Sequence, residues 1–139
     1  MAPLTYLTNI ASFCAAHRLH NYDLSDQVNR DLFGRCNHPS SHGHNYKIEA
    51  TVAGEIIPEH GFAMNLRDLK KILVTVIDPM DHKRIDTDID FFSKSKHIAT
   101  AEMIAVYIWE EMEKLLPENV KLHNIRVHET EKNYIDYRG

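Results

Sequence analysis

His42-Gly43-His44-Asn45-Tyr46-Lys47-Ile48-Glu49-Ala50-Thr51-Val52 alternates along its whole length: His42, His44, Tyr46, Ile48, Ala50 and Val52 fall on one face, and Asn45, Lys47, Glu49 and Thr51 on the other. A period of two is that of a strand with one side against a core and the other open. Upstream, Phe13, Ala15, His17 and Leu19 alternate with Ser12, Cys14, Ala16 and Arg18, which predicts a second strand over Phe13 to Leu19. His17 lies on its apolar face, and Cys14, opposite, is expected to be a small buried residue. The segment between the strands is rich in Asn, Asp, Ser and Pro and reads as a functional loop carrying Cys36.

Downstream, Pro58-Glu59-His60-Gly61 predicts a turn, with Phe62 to Met64 as a short strand after it. Asn65 is a good N-cap, and Leu66, Leu69, Leu73, Val76 and Ile77 recur at helical spacing until Pro79 stops the run. A second helix begins at Thr100, with Ile104, Ile108, Met112 and Leu115 as an apolar row, and ends before Pro117. Ile125, Val127 and Glu129 then alternate on a third long strand, and Asn133 to Tyr137 forms a fourth. The order ββααββ is that of an α+β fold: a four-stranded antiparallel sheet with two helices on one face. Its edges need neighbours, and an oligomer that continues the sheet would cover them.

The chain of 139 residues, with 43% hydrophobic and 26% charged residues, is expected to be a single domain over 1–139. Its longest apolar runs are broken by charges, which excludes a membrane span, and its N-terminus has no signal-peptide pattern, so a cytosolic location is expected. A net charge of −4 without a basic stripe argues against nucleic acid as a partner. Cys14 and Cys36 do not make a disulfide framework.

The chemistry gathers around FGRCNHPSSHGHNY, residues 33–46. His42 and His44 share a strand face, and with His17 they would give three imidazoles around zinc with one position open, a catalytic arrangement; iron or another divalent ion suits the same nitrogens. Cys36 is either a fourth ligand closing that site or a reactive thiolate whose pKa the metal and histidines lower. Asp81-His82 reads as a surface loop unless the backbone bends enough for the carboxylate to hold the imidazole and make it a base. Glu129, partly buried, needs a partner: a structural ion pair, or a ligand with adjacent N–H donors. Thr100 and Glu102 are accounted for as helix cap and first-turn acid, and Asp86, Asp88 and Asp90 as a solvated acidic run.

The blocks SFCAAHRLH (12–20), FGRCNHPSSHGHNY (33–46), MNLRDLK (64–70), MDHKRID (80–86), TAEMIAVYIWE (100–110) and VHETEKNYIDYRG (127–139) resemble, in order, those of the 6-pyruvoyl tetrahydropterin synthase family. The resemblance implies that His17, His42 and His44 hold zinc, that Cys36 is the catalytic thiol, that Asp81 and His82 form an acid–base dyad and that Glu129 anchors a pterin ring. Thr100 and Glu102 stand where the family has further pterin contacts. It also implies a tunnelling (T-fold) unit whose sheets join into a barrel in a trimer, two trimers forming a homohexamer in which the dyad serves a neighbour's Cys36. The implied reaction converts 7,8-dihydroneopterin triphosphate to 6-pyruvoyl-tetrahydropterin and triphosphate, in tetrahydrobiopterin biosynthesis. The alternative within the same fold is a 6-carboxytetrahydropterin synthase of the queuosine pathway, in which the thiol usually stands four residues before the HxH pair; here Cys36 stands six before His42, which favours the pyruvoyl enzyme. Cys14 stands where Ser is more usual and Ala101 where a second Thr often follows. A rival from another class is a non-catalytic zinc- or pterin-binding module in which Cys36 closes the metal site.

Overall fold

The computed structural model describes residues 2–139. Four strands, β1 (Leu4–His17), β2 (His42–Glu55), β3 (Val120–His128) and β4 (Tyr134–Tyr137), form one antiparallel sheet in the order β1-β2-β3-β4. The alternation of β2 decides its orientation: Tyr46, Ile48, Ala50 and Val52 are all fully buried, and their odd-numbered neighbours face the open side. Two long helices, α2 (Leu66–Ile77) and α5 (Ala101–Glu113), cover the apolar face. In α2 the Asn65 side chain accepts from the Arg67 N–H, and Leu69, Leu73, Val76 and Ile77 point into the core. In α5 Thr100 caps the helix by accepting from the Met103 N–H, and Ile104, Ile108 and Met112 pack against the sheet.

Several expectations need correction. β1 starts at Leu4, well before Phe13, and stops at His17. Its first half carries apolar side chains on both faces, with Leu4, Tyr6 and Ile10 exposed and Leu7 and Ala11 against the core, so no alternation shows. Cys14 is exposed, because it lies on the open face of an edge strand. The presumed loop before β2 holds a helix, α1 (Asp26–Phe33), capped by Ser25 and ended by Gly34 at φ 57°, and a 3-10 turn over Gly34–Asn37. Phe62 makes a single bridge to Ile57 rather than a strand. The acidic run is split between two single-turn helices, α3 (Ile85–Asp88) and α4 (Asp90–Ser93), and Asp86 is not simply solvated. Its carboxylate accepts from the Arg18 backbone N–H at 3.1 Å and from the Arg84 Nη2 at 3.0 Å. β3 ends at His128, one residue before Glu129.

Candidate metal centre and the groups around it

The antiparallel register pairs His17 with His42 and Ala15 with His44, so three imidazoles meet on the helix-covered face where β1 ends and β2 begins. One nitrogen of each lies within 4.8 Å of the other two. His17 is 1% exposed, and its Nδ1 meets the Ala99 carbonyl at 2.7 Å, immediately before the α5 cap. Donation there leaves the lone pair of its Nε2 facing the cluster, as the second shell of a metal-ligating histidine does.

His17 Nε2 and His42 Nε2 stand 3.0 Å apart, and His44 Nε2 is buried without a hydrogen-bond partner. A cation among them would engage all three lone pairs, so these residues fit a zinc-type ion with three imidazole ligands. Burial holds His17 below the ordinary histidine range, and burial likewise depresses His44. Both are therefore neutral donors near pH 7, and the 3.8 Å approach of Glu129 Oε1 to His44 Nε2 is a contact rather than an ion pair.

Cys36 lies in the 3-10 turn, half-buried, and its sulfur stands outside the group of mutually close donor atoms. Burial first, and the nearby Glu129 carboxylate second, push its thiol up. The lowering expected from the sequence counts a bound metal ion among its causes, and a cation held by the three imidazoles would act against both of these effects.

Asp81 and His82 follow a 3-10 turn at the end of α2. His82 takes φ 59°, the bend that lets its Nδ1 reach Asp81 Oδ1 at 3.0 Å. The pair is fixed to the outer edge of β1: the Cys14 N–H donates to Asp81 Oδ1 at 3.0 Å, and the His82 N–H donates to the Cys14 carbonyl. That backbone donor, more than His82, holds the Asp81 carboxyl below its usual range. The His82 side chain is 81% exposed, and among the described residues no hydrogen bond links it to Cys36 or to the histidine cluster. One chain thus brings together His17, His42, His44 and Glu129, and leaves the dyad on a free sheet edge. Thr100 adjoins the cluster through Ala99, whereas Glu102 is exposed in the first turn of α5.

Two groups escaped the sequence reading. Tyr46 continues the face of His42 and His44, is fully buried, stacks on Phe13 at 5.0 Å, and has a hydroxyl with no partner. Its position on that face was the available signal. The Ala99 carbonyl left none, because a main-chain acceptor has no residue type.

Residues 6–139 match the family model described as 6-pyruvoyl tetrahydropterin synthase. A 6-pyruvoyl tetrahydrobiopterin synthase of Poecilia reticulata is 50% identical over 135 residues, covering 96% of this chain and 90% of its own. One of Homo sapiens is 47% identical over 129 residues, covering 92% and 87%. The solved 6-pyruvoyl tetrahydropterin synthase of Caenorhabditis elegans superposes with a TM-score of 0.92 at 36% identity, over 99% of this chain and 97% of that one. With a histidine cluster, a thiol outside it and a carboxylate beside it all lying inside the matched residues, the chain belongs to the 6-pyruvoyl tetrahydropterin synthase family.

Proposed function

We propose that the chain is a 6-pyruvoyl tetrahydropterin synthase that converts 7,8-dihydroneopterin triphosphate to 6-pyruvoyl-tetrahydropterin with release of triphosphate. The observation that carries this reading is the set of three imidazole nitrogens within 4.8 Å of one another with the Cys36 sulfur outside it. A structural site would take the thiol as its fourth ligand, whereas a catalytic one leaves a position and a thiol open.

Each residue then has a task. His17, His42 and His44 hold zinc, with the Ala99 carbonyl fixing the His17 ring. Zinc, when bound, supplies Lewis acidity that makes the C–H bonds beside the substrate's side-chain oxygens more acidic. Glu129 accepts the adjacent N–H groups of the pterin ring and orients it, and Thr100 and Glu102 belong to the ring's surroundings. Cys36 removes a proton from the side chain, and Asp81-His82 handles another. The electrons stay within the substrate, since the side chain is oxidised as the ring is reduced, and no external nicotinamide enters.

We place the enzyme in the cytosol as a homohexamer of single-domain subunits, a dimer of trimers with shared active sites. The free edges of β1 and β4 and the exposed dyad support this arrangement. Both cysteines are unpaired, and among the described residues no helix is long and apolar enough to cross a membrane.

Incubating the metal-loaded protein with dihydroneopterin triphosphate and weighing the product tests the reading. A pyruvoyl product is expected, and a carboxy-tetrahydropterin product would move the chain to the queuosine-type reaction. Cys36→Ala should remain folded and metal-loaded but lose turnover. Loss of the metal with the thiol would point to a closed binding module.

A further inference from the structure

A cavity of about 500 Å³ flanks the Cys36 turn, lined by Arg18, Arg30 and Arg35 with Asp26, His38 and Pro39. Three arginines and one aspartate line it, in a chain whose net charge is −4. Such local reversal of sign draws an anion to one place on an acidic protein. The three arginines come from different pieces of chain, the residue after β1, the α1 helix and the 3-10 turn, so the fold gathers them rather than the sequence.

The rest of their bonding leaves capacity for a ligand. Arg18 uses its Nε to donate to the Asn37 carbonyl at 2.8 Å, and Arg30 uses one Nη on Gln27 at 3.1 Å. Arg35 makes no side-chain hydrogen bond or ion pair among the described residues. Arg84, by contrast, is committed to Asp86 through Nε and Nη2 at 3.0–3.2 Å. Lys83 lies with the dyad on the outer edge of β1, where its carbonyl accepts from the Ala16 N–H.

The order along β2 matters as much as the charge. Glu129 stands beside His44, and His42 lies two residues, about 7 Å, further toward the strand's start. Beyond His42 come the residues of the Cys36 loop and, across the register from it, the end of β1 leading to Arg18. Arg18 directly follows His17, and Asn37 of the cavity lining directly follows Cys36, so the cavity adjoins the imidazole cluster and the thiol through the chain. A molecule with a hydrogen-bonding ring, side-chain oxygens and a polyanion has a group for the carboxylate, the cluster and the arginines.

We infer that the Arg18–Arg30–Arg35 cavity is the subsite for the triphosphate of the substrate and for the triphosphate released. This rests on the substrate proposed above. Guanidinium forks suit phosphate oxygens, and three of them from separate elements can hold a chain of phosphates that a single Lys would leave mobile.

Binding of inorganic tripolyphosphate to the metal-loaded protein, measured by calorimetry, tests the subsite without turnover. Wild type should bind it, more weakly as salt rises, and Arg30→Ala/Arg35→Ala should weaken it about tenfold or more. The same variant should raise KM for dihydroneopterin triphosphate with unchanged metal content and Tm, while Lys71→Ala on α2 changes neither. Equal tripolyphosphate affinity in wild type and the double variant, or an unchanged KM, overturns the assignment. Arginine-dependent tripolyphosphate binding in a protein that makes no pterin product keeps the cavity and removes the proposed reaction instead.

Discussion

The hydroxyl of Tyr46 is buried with no partner, an arrangement that costs the folded chain about 1–3 kcal/mol relative to a bonded hydroxyl. Tyr46→Phe removes only that oxygen. The variant should therefore unfold at the same or higher temperature, while turnover falls, since the group lies on the strand face that carries His42 and His44 and is left to meet an acceptor brought by substrate. Thermal melting and steady-state kinetics on one preparation check this, and a lowered Tm would show that the hydroxyl is already bonded in the free protein. Most of the centre was legible at this scale. The HxH spacing put His42 and His44 on one face, and the cross-strand pairing with His17 followed once two strands were drawn. What the sequence could not show was the carboxylate beside the thiol: Glu129, after burial, pushes the Cys36 pKa up, against the lowering expected from a bound metal.

At the scale of elements, readability followed the cleanliness of the apolar pattern. β2, α2 and α5 each bury one face and were visible, whereas α1 buries only Asn29 and offers no stripe to find. Its signals were punctuation: Ser25 at the N-cap and Gly34 at the end. Gly34 adopts φ 57° and ψ −131°, a region that residues with a Cβ adopt only under strain, and it turns the chain from α1 into the Cys36 turn. Gly34→Ala should cost about 1–3 kcal/mol and disturb the thiol's position, so that kcat falls as well as Tm. A second prediction belongs to the β3–β4 hairpin. The Arg126 guanidinium, which donates to both oxygens of Asp136 at 2.7 and 3.0 Å, draws that carboxyl from 3.8 down to about 2. A carboxylate whose pKa is lower in the folded state stabilises at pH above its unfolded value and loses that contribution as pH falls toward the folded one. Asp136→Asn should thus be less stable than wild type at pH 7, with the difference shrinking from about pH 4 to pH 2 in denaturant titrations.

For the whole molecule, the question is where the dyad works. Asp81 and His82 are tied to the outer edge of β1 through Cys14, with the imidazole 81% exposed, while the imidazole cluster sits on the helix-covered face of the same sheet. Within one chain, among the described residues, the pair makes no hydrogen bond to Cys36 or to the histidine cluster. If the dyad serves a neighbour's thiol, two inactive variants repair each other. Cys36→Ala subunits keep an intact dyad, and His82→Ala subunits keep an intact thiol. Unfolding the two together in equal amounts and refolding them with zinc should give mixed assemblies in which about a quarter of the sites combine a sound thiol with a sound dyad. Activity should then return to about a quarter of wild type, and refolding either variant alone should return none. Sites confined to single chains predict no recovery from the mixture, since every chain in it lacks one of the two groups. Size-exclusion chromatography of the refolded material separates that outcome from a failure to assemble, because only a mixture that elutes with the wild-type oligomer and stays inactive counts against the shared site.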